Sequence, residues 1–381
     1  MRLGSPGETL DLGSSSPIVV TVSVDGDGQV TSTPAGIDCP TTCTARFPPG
    51  TQLKLTAQPG LRQYFSTWTG ACGGSNAVCI PTPAPNVTLE AQFAARQCSP
   101  DNWCIEQPLP MGIGSLSRVW GSAVNDVWAV GDDGTFLHYT GVQWYQVDAM
   151  TSQSMYGLWG SAANDVWVVG SGQAILHFDG TSWTLVGSEA LANLFPLWGS
   201  SANDIWTYGG GPFSGTYFLH YDGMTWNKVS TTLTATLYGL WGSDMTDVWS
   251  VGSSGTILHF DGGMWQAVPS GITANLNDVF GTSATDAWTV GDSGTLLHFN
   301  GMSWEPVDIS GGALSVSLRG VWASAEDSAW IVGDGGTLLH FDGTNVTPAT
   351  SGILTNLRGV WGSDANDIWA VGDAGILRYL P

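Results

Sequence analysis

Six histidines, His138, His177, His220, His259, His298 and His340, recur at one fixed place in a repeated pattern, and the chain has no others. Imidazole suits metal binding and proton transfer at neutral pH, so the set invites both readings. An aspartate recurs with it, as Asp126, Asp165, Asp204, Asp247, Asp286 and Asp367. Residues placed once per unit in a symmetric array cannot converge on one ion. Ser328 takes the aspartate's place in one copy and Arg378 the histidine's in another, substitutions a catalytic role would not tolerate. The histidines therefore read as structural hydrogen-bonding groups and the aspartates as turn acceptors for backbone N–H groups. A two-residue turn at Asp132-Asp133 would put His138 opposite Val127, on the sheet face away from Asp126, so no His to Asp pair is assigned.

Chemistry that distinguishes one ligand from another is expected where the copies differ. The residue after the leucine that opens each repeat reads Ser117, Tyr156, Phe195, Tyr238, Asn277, Arg319 and Arg358, with Met155 replacing the leucine in the second copy. An aromatic arc beside an arginine pair, with Arg118 adjacent in sequence to Ser117, suits a planar or anionic group such as a uronic acid or a peptide carboxylate. Unconstrained surface variation is the alternative. Asp132, Asp133, Asp292, Asp334 and Asp373 would attract a cation, although aspartate before glycine in a turn explains them equally well; no metal or other cofactor is assigned. The glycine-rich insertion 209–215 is not a phosphate loop, because no GK[ST] follows. It reads as a flexible lip.

The elements that position these residues come from repetition. Units start at 115, 154, 193, 236, 275, 317 and 356, and the complete ones run 39 to 43 residues. Four short strands, A to D, are separable in each; in the fourth they fall near Leu237–Gly242, Asp247–Gly252, Thr256–Phe260 and Met264–Val268. That period and strand content predict an all-β, seven-bladed β-propeller. The seventh unit stops at ILRYLP without a strand D. Residues 102–108 supply it, since Trp103 stands where Trp144, Trp183, Trp226, Trp265 and Trp304 stand in strand D elsewhere. Closure by an early strand removes the open sheet edges. Strand A contributes Trp120, Trp159, Trp198, Trp241, Trp322 and Trp361, with Phe280 in the fifth blade; strand B contributes Trp128, Trp167, Trp206, Trp249, Trp288, Trp330 and Trp369. Rings recurring in this way read as packing between sheets.

The pattern LRGVWGSDANDIWAVGDAG, with AILHFDGTSW in the second unit, resembles the propeller repeats of photosystem-assembly-factor-like proteins and of Asp-box proteins such as sialidases. Asp179-Gly180 with Trp183, Asp222-Gly223 with Trp226 and Asp261-Gly262 with Trp265 resemble the Asp-box, but histidine replaces its usual opening serine. The resemblance implies, as alternatives to a binding protein, a sialidase-like glycosidase or a polysaccharide lyase, or an assembly factor with a protein partner. Sialidases surround a carboxylate with three arginines; Arg118, Arg319 and Arg358 lie in units adjacent around a closed ring, but no matching catalytic tyrosine can be chosen. The expectation is a non-enzymatic binding or adhesion protein for a glycan or protein ligand.

Residues 1–16 read as leader or linker and 98–381 as the propeller, with a small β domain at 17–97 between them. There SPIVVTVSVDGDGQVTS alternates as a hairpin around a DGDG turn, and TQLKLTAQPG and NVTLEAQFAA read as strands. GQVTSTPAGIDCPTTCTARFPPGTQLKLTAQPG and the following YFSTWTGACGGSNAVC resemble a repeat module of bacterial cell-surface proteins, which implies surface display. The six cysteines form three close pairs, Cys39-Cys43, Cys72-Cys79 and Cys98-Cys104; no histidine precedes residue 138 and no C-x2-C occurs, so local disulfides are favoured over zinc. An extracellular, cell-surface or periplasmic location follows. A formal charge of −22, from 10 Lys plus Arg against 32 Asp plus Glu, excludes nucleic acid as a natural partner. No apolar run is long enough to span a membrane as a helix.

Overall fold

The computed structural model describes residues 16–82, 84–107, 109–187, 192–211, 215–231, 234–312, 314–373 and 375–381. The chain divides into two compact units, one ending at Ala95 and the other beginning at Arg96.

The first unit holds two four-stranded sheets. In one, Ile18–Asp25 lies between Thr44–Phe47 and Asn86–Ala95, pairing antiparallel with the former and parallel with the latter. In the other, Gly28–Thr33 lies between Asp38–Cys39 and Lys54–Pro59. The arms of the expected DGDG hairpin thus belong to different sheets. Alternation shows which face of a strand is buried, here through Val20, Val22 and Val30, but not which neighbour completes its hydrogen bonds. Cys39 bonds Cys43, Cys72 bonds Cys79 and, in the second unit, Cys98 bonds Cys104.

The second unit is all-β, with seven four-stranded antiparallel sheets among its described residues. Strands A of consecutive sheets pack side by side, and the first, Leu116–Ala123, packs against the last, Leu357–Asp364. The ring is therefore closed, as a propeller requires. Its seventh blade takes strand D from Trp103–Ile105, which pairs with Gly375–Tyr379 so that Trp103 faces Tyr379.

Two tryptophan contacts explain the repeat. Six of the seven strand B indoles meet the strand D indole of the next blade edge to face, as Trp128 does with Trp183 at 5.3 Å and 85°, and Trp369 with Trp144 at 5.3 Å and 84° across the seam; the sixth blade's strand D has no tryptophan, and Trp288 packs against Phe341 there. Trp103 takes this part against Trp330 at 5.0 Å. Each strand A indole lies on the glycine that follows the strand A aromatic residue of the next blade: a Cβ on Gly160 would sit 2.5 Å from the Trp120 ring, and one on Gly121 would sit 2.7 Å from Trp361. The sixth blade has Ala323 instead, beside the fifth blade's smaller Phe280.

Register overturns the expectation for the histidines. The B–C turn of the first blade occupies three residues, Asp132–Gly134, with Asp133 left-handed at φ 54°. One extra turn residue shifts the pairing by one, so His138 faces Trp128 rather than Val127 and shares a face with Asp126. His138 Nε2 lies 2.6 Å from Asp126 Oδ1, and the same contact joins His177 to Asp165, His220 to Asp204, His259 to Asp247 and His298 to Asp286. The second Asp oxygen accepts a strand A hydroxyl, as from Ser200 at 2.6 Å. Each ring stacks on its strand B indole, with centroids 3.9 Å apart for His138 and Trp128. In the seventh blade Arg378 bonds Asp367 at 2.7 Å and lies over Trp369. In six blades these residues join strands A, B and C; in the sixth, Ser328 takes the aspartate's place.

Candidate functional site

Strand A carries a β-bulge near its start in every blade. Pairing passes from Met155–Gly170 directly to Gly157–Val169, leaving Tyr156 out of the ladder, and the same shift leaves out Ser117, Tyr238, Asn277, Arg319 and Arg358. In the third blade the shift spans Phe195. A bulge re-aims the side chain it releases. These half-buried residues all line one pocket of about 410 Å³ at the mouth of the channel, joined by Arg118, Asn275 and Asp292.

The mouth has three sectors. Blades two to four give Tyr156, Phe195 and Tyr238; the first two rings stack at 5.4 Å and 16°. Blades six, seven and one give Arg319, Arg358 and Arg118. Blade five gives amides.

The B–C aspartates partner these polar residues. Arg319 forms a fork with Asp334, Nε to Oδ1 at 2.9 Å and Nη2 to Oδ2 at 2.8 Å, while Arg358 Nε bonds Asp373 Oδ1 at 2.7 Å. Asp292 accepts Asn277 Nδ2 at 3.0 Å and Asn275 Nδ2 at 2.9 Å. Where the bulge residue is tyrosine, as in blades two and four, the turn opens with Ser171 or Ser253. Burial alone would raise the Asp373 carboxyl, but the hydrogen bond and charge of Arg358 more than offset this and hold it low. Three of the suggested cation ligands are therefore engaged by guanidinium or amide groups, and the described residues contain no cluster of three or more His, Cys, Asp or Glu side chains placed to hold a metal ion. The guanidinium groups keep donors for a ligand, since the side chains of Arg319 and Arg358 remain 40% and 43% exposed. Within the insertion, strands B and C extend to Gly211 and from Gly215; the lip expected at 209–215 has residues 212–214 outside the described residues.

A second cavity of about 220 Å³, the throat, shares Arg118 and Tyr238 with the mouth and is walled by the strand A rings. Asp278, missed in the sequence reading, lines it. The available signal was its position: the corresponding residues are Gly157, Pro196, Gly239, Gly320 and Gly359, and the remaining copy has Arg118. Enclosure pushes the Asp278 carboxyl up, partly offset by the charge of Arg118 and by the N–H groups of Val321 and Val279.

Residues 18–97 match the divergent InlB B-repeat domain family. No curated protein matches the chain. Among solved structures, YCF48 from Cyanidioschyzon merolae is similar at 16% identity and TM-score 0.60, over 74% of this chain and 99% of that one. YCF48 bound to D1 peptide is similar at 16% and 0.59, over 75% and 97%. The extracellular domain of the hybrid two-component system BT3049 from B. thetaiotaomicron is similar at 11% and 0.60, over 80% of this chain and 44% of that chain. Identities this low speak to the propeller fold alone.

Proposed function

We propose that this chain is an exported, non-enzymatic binding or adhesion protein whose ligand docks at the channel mouth. The carrying observation is that the seven strand A bulge residues, at the positions where the copies diverge, all line one pocket. The ligand presents a carboxylate to Arg319, Arg358 and Arg118 and a planar or apolar face to Tyr156, Phe195 and Tyr238, as an acidic glycan or a protein segment can. The peptide in the YCF48 structure supports a propeller of this kind holding a protein ligand. Three disulfides, the InlB-like module and the extracellular neighbour support export. Arg118, Arg319 and Arg358 sharing one pocket is also what a sialidase-like enzyme would show.

A glycan array with acidic glycans, run beside a carboxylate-terminated peptide library, identifies the ligand class. Arg319→Ala with Arg358→Ala, through loss of roughly one charge-assisted hydrogen bond, and separately Tyr156→Ala with Tyr238→Ala, through loss of aromatic contact area, should each weaken binding at least about tenfold, with the melting temperature held. Undiminished binding by both pairs would remove the mouth as the site. Turnover of sialosides or polyuronides would replace the binding reading with the enzymatic one.

A further inference from the structure

Beneath the mouth, the third residue of strand A is glycine in four blades, where the neighbouring strand is close, and proline in a fifth. A Cβ on Gly157 would lie 2.7 Å from Phe195 O, and one on Gly239 would lie 2.9 Å from Asp278 Cα. Only Arg118 and Asp278 break this rule, with opposite charges, and both line the throat. They do not neutralise each other by contact: among the described residues neither belongs to an ion pair within 4.0 Å. Arg118 Nη1 instead donates to Ser117 O at 3.0 Å, and Asp278 Oδ2 accepts the Val321 N–H at 3.2 Å. The throat thus presents a positive and a negative group without an intervening salt bridge.

Resting on the reading of the mouth as the binding site, we propose that its ligand is amphoteric, with a carboxylate held in the guanidinium sector and a protonated amine reaching down to Asp278. An isolated cation in the throat would be repelled by Arg118 and an isolated anion by Asp278, and low-dielectric walls strengthen both effects. A group carrying both charges meets complementary partners on both sides. Arg118 lines mouth and throat alike, so one ligand reaches both levels, and its apolar body lies toward the aromatic sector. An amine at Asp278 also supplies the compensating charge that an enclosed carboxylate needs; burial raises this carboxyl despite Arg118. The α-amino acid is the smallest ligand of this class, and a short peptide carries the same charges farther apart.

The structural alternative makes Asp278 a wedge that accepts Val321 N–H between blades five and six. Asp278→Asn keeps an oxygen acceptor and loses the charge, so it separates the roles. Calorimetric titration of the intact chain at neutral pH would use L-phenylalanine, alanyl-phenylalanine, 3-phenylpropionate and 2-phenylethylamine. At least one of the two amphoteric probes should bind about tenfold or more tighter than either single-charge probe, a difference of one charge-assisted contact; which of them wins reports the charge spacing. Asp278→Asn should erase that advantage and, by removing the repulsion of an anion, leave 3-phenylpropionate bound no more weakly than before. Should Asp278→Asn melt early, Arg118→Met tests the opposite pole and should weaken the amphoteric probes while leaving 2-phenylethylamine bound as tightly as before or tighter. Equal binding of 3-phenylpropionate and the amphoteric probes, no binding by any probe, or an advantage that survives Asp278→Asn in a folded protein would overturn the proposal. The mouth reading is judged independently by the array and its arginine and tyrosine variants.

Discussion

Asp286 is 4% exposed and holds two partners, His298 Nε2 at 2.6 Å and the Thr282 hydroxyl at 2.5 Å. Removing its carboxylate leaves both groups unpaired in a half-buried place, at a cost of about 1–3 kcal/mol. The sixth blade bounds the effect, since Ser328 replaces the aspartate there and His340, still stacked on Trp330 at 4.4 Å, is pushed by burial below the ordinary imidazole range. Asp286→Ala should therefore lower propeller stability by about 1–3 kcal/mol in urea denaturation without loss of fold, whereas Ser328→Ala should cost less. Equal losses would mean that the aspartate contributes nothing beyond its turn. The scaffold role of these residues was legible because they repeat. Their pairing was not, because it depends on whether the B–C turn has two residues or three, and the left-handed Asp133 that settles this is an unremarkable aspartate in sequence.

At the scale of strands and blades, tryptophan spacing carried the architecture: Trp103 marked its segment as a strand D although the strand it pairs with, Gly375–Tyr379, lies at the far end of the sequence. The mouth was legible for a related reason, since residues released by a bulge escape the packing that keeps other positions alike. Asp278 escaped notice because its meaning depends on the glycines at the same level of other blades, a comparison across strands rather than along one. The same comparison explains Phe280 and Ala323, the one departure from tryptophan in strand A and the neighbouring departure from glycine in WG. Phe280→Trp should press the larger ring on the Ala323 methyl and cost about 1–3 kcal/mol as an overpacked contact. Ala323→Gly alone should destabilise through a small void and added backbone freedom. Combined, they recreate the pairing found in the other blades, so the double variant should recover a coupling energy of about 0.5–3 kcal/mol in a denaturation cycle. Strictly additive losses would show that the two departures are unrelated.

Across the whole molecule, electrostatics set opposing demands as pH falls. At −22 the chain repels itself at neutral pH, and protonating carboxylates relieves that repulsion. Glu106 and Asp278 act in the same direction: burial raises both carboxyls, despite Arg96 beside the first and Arg118 near the second. A raised folded value means that their contribution is full below the unfolded values, 4.5 and 3.8, and is lost as pH rises through the folded ones. Asp126, Asp165 and Asp204 act oppositely. Burial would raise them, but hydrogen bonds from their histidines and serines more than compensate and hold them below 3.8. Their contribution is full above that value and disappears as pH falls through the lowered folded ones. The propeller should therefore be most stable in mildly acidic solution, less so at neutral pH, and steeply less so below about pH 4. Added salt screens repulsion between exposed charges, so it should raise the melting temperature more at pH 7 than at pH 5. Scanning calorimetry across pH at low and high salt reads both effects, following the propeller transition separately from that of the first unit. A melting temperature that climbs steadily from pH 5 to pH 8 and ignores salt would show that self-repulsion and the two buried carboxyls do not govern the neutral limb.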